Sequence, residues 1–209
     1  MRRLPVYLLL DTSGSMSGEP IEAVKNGVQI MISSLRQNPQ AIETAFLSVI
    51  TFDSTAQQII PLTDLASFQM VDIKATGVTA LGEALKLVAH KIDTEVAKTT
   101  TEQKGDWKPL LFLITDGKPN DSMLYSEMIP KIKALNFGVI VGCAVGRLAD
   151  DSKLKELTDN VVHLATADTS TLKQFFKWVS DTIEQGNKSM GTTDSVALPP
   201  PPQEVVQVL

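Results

Sequence analysis

Cysteine and histidine are nearly missing from this 209-residue chain, which has one of the first and two of the second. A single thiol excludes an internal disulfide. Set among Val139, Ile140, Val141 and Val145, Cys143 reads as a core thiol rather than a nucleophile. Neither His90, in a predicted helix, nor His163, in a short apolar strand, has a catalytic base or nucleophile beside it in sequence. Long apolar runs are lacking too. Asp11 interrupts the one at the amino end and no later run approaches membrane-spanning length, so neither an ordinary leader nor a membrane insertion is expected. The default expectation is a cytoplasmic protein. There is no basic patch or internal repeat, and a formal charge of −5 argues against a nucleic-acid or anionic-membrane surface.

What remains has the proportions of one α/β domain. Leu4 to Leu10 and Pro109 to Ile114 are continuous apolar runs of the kind found in central parallel strands, and Gly138 to Val145 forms a third. Ala45 to Phe52 and Ala56 to Leu62 are joined only by Asp53-Ser54-Thr55, too short for a parallel crossover, and predict an antiparallel hairpin at one side of the sheet. Val161 to Leu164 supplies a short last strand. Apolar residues spaced by three and four predict helices over Pro20 to Leu35, from Leu81 to Ile92, over Asp121 to Leu135, around Leu154 and Leu157, and from Leu172 to Ile183 after an Asp168 cap. Pro130 predicts a kink or a late start in the third of these. The fold expected is a doubly wound, mostly parallel six-stranded sheet with one antiparallel edge strand and helices on both faces. The domain is expected over residues 1–186. Residues 187–209 read as a Ser/Thr- and Pro-rich tail dispensable for the fold. It is either disordered or extended through Pro199 to Pro202, with Val205, Val206, Val208 and Leu209 able to dock as a short strand on this molecule or another.

Chemistry gathers where these strands end. Asp11-Thr12-Ser13-Gly14-Ser15 puts one carboxylate and two hydroxyls on a loop after the first strand, where open parallel sheets place their ligand crevice. Two later loops add Thr79, just ahead of a helix, and Asp116, just after a strand. Two carboxylates and three hydroxyls are hard oxygen donors suited to Mg²⁺ or Mn²⁺, with waters completing the shell and no thiol or imidazole needed. The cation would also offset the repulsion of two carboxylates in one crevice. Thr79 is preferred to Thr76 because a hydroxyl directly before a helix can serve as both cap and ligand. Asp53 can border the site or simply end its strand, and Lys118 and Asn120 are candidates for its rim.

These residues resemble the von Willebrand factor type A domain family, whose metal-ion-dependent adhesion site joins an Asp-x-Ser-x-Ser motif to a Thr and an Asp from two later loops. All five positions are filled, by Asp11, Ser13, Ser15, Thr79 and Asp116. More narrowly, Val6 to Met16 is similar to bacterial A-domain proteins associated with tellurium resistance, whose genes often neighbour a protein kinase and a protein phosphatase. The resemblance implies a recognition module in a stress-response complex. By it, Ser13, Ser15 and Thr79 are direct ligands, Asp11 and Asp116 act partly through water, and a partner protein's Glu or Asp fills the open position. The rival reading is a metal-dependent phosphatase or hydrolase, since two carboxylates and a divalent ion also serve phosphoryl chemistry. A metal-free structural subunit is the third.

Overall fold

Leu4–Asp11 forms strand β1, which is buried at every position, as its unbroken apolar sequence requires of a strand covered on both faces. Leu4, Val6, Leu8 and Leu10 enter one core, while Tyr7 and Leu9 enter the other. The two-residue period of the strand divides the interior. The structure, a computed structural model, describes residues 2–147, 149–189 and 196–208. After β1 come α1 (Glu19–Leu35), α2 (Pro39–Thr44), β2 (Ala45–Phe52), β3 (Ala56–Asp64), α3 (Leu81–Glu95), β4 (Leu110–Thr115) and α4 (Ser122–Ala134). Then follow β5 (Val139–Val145), α5 (Asp151–Leu157), β6 (Val161–Leu164), α6 (Thr169–Ser189) and β7 (Val206–Val208).

The strand order is β3-β2-β1-β4-β5-β6-β7. β1 pairs in parallel with both β2 and β4, β4 with β5 and β5 with β6, whereas β3 and β7 lie antiparallel at the two edges. From β1 the chain crosses through α1 to one side, and later through α3 to the other. The carboxyl ends of β1 and β4 therefore flank the point where strand order reverses, the usual crevice of an open α/β sheet. α1, α2 and α6 cover the first core; α3, α4 and α5 cover the second. The expected α/β class is the observed one.

The sheet has seven strands with two antiparallel edges, not six with one. Val206–Val208 pairs with Val161–His163, Val205 is 2% exposed, and the Trp178 indole Nε1 donates to the Pro199 carbonyl at 2.8 Å. Val196 and Leu198 pack on the same core. The described part of the expected tail is thus seated on the domain. Leu209 and residues 190–195 lie outside the described residues. A three-residue strand shows no alternation to read, and its partners lie far away in sequence. The short helix α2 was also unexpected; Asn38 caps it by accepting from the Gln40 and Ala41 amides at 3.0 and 3.3 Å. α4 runs through Pro130, so of the two alternatives, a kink or a late start, the late start does not occur.

The amino ends of the strands carry their own polar cluster. Arg3 donates to the Glu95 carbonyl at 2.8 Å, the Tyr7 hydroxyl donates to the Glu95 carboxylate at 3.1 Å, and the Arg2 guanidinium lies 3.5 Å over the Trp107 ring.

Replacing Val205 with Asp should place a carboxylate in this core and lower stability by about 3 kcal/mol. Thermal and urea unfolding followed by circular dichroism read the change. A midpoint equal to wild type would return residues 196–208 to the status of a dispensable tail.

Candidate metal centre

β1 ends on Asp11, a carboxylate that is 1% exposed. Its Oδ1 accepts from the Ser13 amide at 2.8 Å, and its Oδ2 accepts from the Thr115 hydroxyl at 2.6 Å. Thr115 is the last residue of β4 and is itself buried. The two central strands are therefore joined at their carboxyl ends by a bond between two side chains. Beyond Asp11 a single 3₁₀ turn, Gly14–Met16, folds the chain back so that the Ser13 and Ser15 hydroxyl oxygens lie 3.0 Å apart. Ser15 donates onward to Asp116 Oδ1 at 2.9 Å.

The loop before α3 closes on this turn through its backbone. The Gly14 amide donates to the Gly77 carbonyl at 3.1 Å, and the Thr76 amide donates to the Thr12 carbonyl at 2.7 Å. Gly77 has φ 72°, and a Cβ there would stand 2.4 Å from the Ser54 hydroxyl oxygen. Only glycine suits both demands. Thr79 is buried, and its hydroxyl oxygen lies 3.5 Å from where a Cβ on Gly117 would stand. Asp11, Ser13, Ser15, Thr79 and Asp116, drawn from three loops, are thus gathered at the crest of the sheet.

Other residues fall differently from expectation. Thr79 does not cap α3: Ala80 is the residue before that helix, and it is the Asp121 carboxylate that accepts from the Gly82 and Glu83 amides at 2.9 and 2.8 Å. Asn120, expected at the rim, is exposed and bonded to Thr79. Its Oδ1 accepts from the Thr79 amide at 2.7 Å, and its own amide donates to the Thr79 carbonyl at 2.9 Å. Lys118 pairs with Asp150 at 2.8 Å, and this pairing, ahead of the bonds from Ser152, holds Asp150 well below the usual carboxylate range. Asp53 borders the site through its backbone, because its carbonyl accepts from the Ala80 amide at 2.7 Å while its carboxylate accepts from Thr55. Sequence reasoning missed Thr115 and Asp121. Both sit beside expected positions, yet only the fold reveals what they touch.

The electrostatics follow from burial. It pushes the Asp11 carboxyl up, against smaller opposing pulls from Ser13 and Thr115, and the neighbouring charge of Asp116 adds to the rise. Burial raises Asp116 as well, opposed by the bond from Ser15. Among the described residues neither carboxylate is paired with a Lys, Arg or His. Nor do three or more His, Cys, Asp and Glu side chains gather anywhere among them as a metal cluster; the donors here are two carboxylates and three hydroxyls. That set fits a small hard cation better than any softer metal. His163 has a partner the sequence did not reveal, with Nδ1 lying 2.8 Å from Asp151 Oδ1. Cys143 is buried, and burial pushes its thiol well up, as befits a core position.

The fold and this crest define an α/β domain of a known class. The model of the von Willebrand factor type A domain matches residues 6–178, and the chain belongs to that family, one used generally for protein–protein interaction. An uncharacterized protein of Synechocystis sp. is 36% identical over 124 residues, covering 56% of this chain and 26% of its own length. The chain therefore spans about a quarter of that curated relative. Proximal thread matrix protein 1 from the mussel byssus superposes with TM-score 0.67 at 20% identity, over 86% of this chain and 48% of that one. A von Willebrand factor type A protein from Catenulispora acidiphila gives 0.67 at 18%, over 88% and 43%. The PilB minor pilin from Streptococcus sanguinis gives 0.65 at 13%, over 90% and 62%. At these identities the likeness is one of fold. It overturns the expectation of a cytoplasmic protein, because the same fold is carried by a byssal thread protein and a pilin. Among the described residues no helix is long and apolar enough to cross a membrane.

A raised folded-state pKa has a definite consequence for the metal-free protein. Between the ordinary aspartate value of about 3.9 and the raised one, the folded state holds a proton that the unfolded chain releases. Stability from Asp11 therefore falls as pH rises through that window and stays low above it. In chelator, Asp11→Asn should gain stability relative to wild type as pH rises above about 4, the ordinary aspartate value. Urea unfolding at each pH measures it, and a difference independent of pH would show that burial of the Asp11 charge is not the cause.

Proposed function

We propose that this chain is a recognition module that binds a partner protein's Glu or Asp side chain through a divalent cation, Mg²⁺ or Mn²⁺. Asp11, Ser13, Ser15, Thr79 and Asp116 would hold the ion. One observation carries the reading: a fully buried carboxylate and a half-buried one converge with two linked serine hydroxyls, and among the described residues no cationic side chain pairs with either acid. An uncompensated buried carboxylate is costly, and a bound cation relieves that cost. Ser13, Ser15 and Thr79 are the direct ligands in this reading, and Asp11 and Asp116 act partly through water. When bound, the cation supplies positive charge and an open coordination position to an incoming carboxylate. A structure of the mussel thread protein, 19% identical with TM-score 0.64, is described as having a zinc-occupied metal-ion-dependent adhesion site motif, which supports a metal at the matching place here.

Binding rather than turnover is the function inferred. A general base must reach the reacting group, and the His163–Asp151 pair has no hydroxyl or thiol among the described bonds of the imidazole. The resemblance of Val6 to Met16 to the tellurium-resistance-associated proteins supports a place in a stress-response complex with a kinase and a phosphatase. The rival reading is a metal-dependent phosphatase or hydrolase.

Mg²⁺ should bind wild type and raise its thermal midpoint, since a ligand selective for the folded state stabilises it by mass action. Asp11→Ala should lose most of that rise. A partner captured in Mg²⁺ should be released by chelator and missed by Asp11→Ala, while the purified chain turns over no phosphoester. Equal calorimetric Mg²⁺ binding by wild type and Asp11→Ala would reject the assigned site. Metal-dependent hydrolysis lost in both Asp11→Ala and Asp116→Ala, with the fold intact, would establish the enzyme reading instead.

A further inference from the structure

We propose that Asn120 is a positioning residue for the cation site, acting through Thr79, and that Asp121 completes the same clamp. The proposal rests on the cation reading above. A ligand hydroxyl is only as well placed as the backbone that carries it. Thr79 lies between left-handed Gly77 and the start of α3, so neither a strand ladder nor a helix fixes its peptide groups. Asn120 bonds to both of them, its side-chain Oδ1 accepting from the Thr79 amide at 2.7 Å and its backbone amide donating to the Thr79 carbonyl at 2.9 Å, so that substitution removes the first bond and keeps the second.

Asp121, the next residue along, carries the contact from Thr79 into the start of α3. Its two carboxylate oxygens take the Gly82 and Glu83 amides at 2.9 and 2.8 Å, tying the first turn of α3 to the loop that precedes α4. The fit is close. A Cβ on Gly82 would stand 2.6 Å from the Tyr125 backbone nitrogen and 2.7 Å from the Asp121 carboxylate. Asp116 opens the loop that Asn120 and Asp121 close. A single short segment thus carries one oxygen donor at one end and fixes the backbone of another at its far end. The distance between the Thr79 hydroxyl and the Asp116 carboxylate is then a property of that loop, set before a cation arrives. Asn120 is an exposed residue, and ordinary exposed positions tolerate substitution. This one should not.

Mg²⁺ is titrated calorimetrically into the full chain as wild type, Asn120→Ala, Asn120→Asp and Lys118→Ala. Urea unfolding in chelator is measured beside each titration. Asn120→Ala should bind Mg²⁺ about tenfold more weakly, the usual loss when a residue that orients a ligand is removed. Asn120→Asp keeps an acceptor for the Thr79 amide and should recover most of the affinity. Lys118→Ala, altered in the same loop but tied to Asp150, should match wild type. A purely structural role predicts a different pattern, with Asn120→Ala lowering the unfolding midpoint equally in chelator and in Mg²⁺ and leaving affinity unchanged. That pattern, or an Asn120→Asp as weak as Asn120→Ala, overturns the proposal. If Asn120→Ala does not fold, Asn120→Ser, too short to reach the Thr79 amide, takes its place under the same criteria. Absence of Mg²⁺ binding by wild type rejects the cation reading itself, and this inference with it.

Discussion

The crest of this molecule depends on one buried carboxylate. Asp11 ends β1, a central strand of the sheet, and its two oxygens are taken by a neighbouring strand's hydroxyl and by the amide two residues on. Those bonds hold the charge in place but do not neutralise it, and burial remains the dominant influence on it. The strand order places this residue beside the reversal point, where no crossover helix covers the strand ends. Any loop arriving there meets an acidic, oxygen-lined surface. Ser13, Ser15 and Asp116 meet it with their side chains, and the loop before α3 meets it chiefly with its backbone.

That backbone contact explains why the site is assembled from short polar loops and glycine. Gly14 and Gly77 touch amide to carbonyl, and the chain at Gly77 takes a conformation that leaves no room for a side chain beside Ser54. On the other side, α3 and α4 approach so closely at Gly82 that one carboxylate serves as the cap for a helix to which it does not belong. The helix amides that Asp121 accepts from are donors that every helix leaves unpaired at its start. Packing and site geometry are therefore one problem in this protein. The loops that hold the five oxygens are also the loops that lock the second helical layer.

Much of this was legible from residue order. The strands β1, β4 and β5 announced themselves as apolar runs because both of their faces are covered, and the amphipathic helices did so by their spacing. The hairpin followed from a connection too short for anything else. The five residues proposed as oxygen donors could be singled out because each stands near a strand end or ahead of a helix, where loops must converge. What escaped was whatever depends on contact across the chain. Asp121 reads as an ordinary helix-starting acid, and nothing nearby in sequence says that it caps α3. Thr115 reads as the end of a strand, and its bond to Asp11 appears only when β1 and β4 lie side by side. β7 was legible only as one of two alternatives, a short strand docking on this molecule, because three residues carry no period and a proline run suggests a tail until Trp178 is seen to donate to it.

The two indoles of this chain occupy opposite surroundings, and neither is at the crest. Trp107 lies under the Arg2 guanidinium at the amino ends of the strands, whereas Trp178 is 4% exposed and bonded to Pro199. The molecule therefore carries a built-in optical gauge of its last strand. Light emitted by Trp178 should report whether the segment from Pro199 onward is seated, since that segment supplies its hydrogen-bond partner.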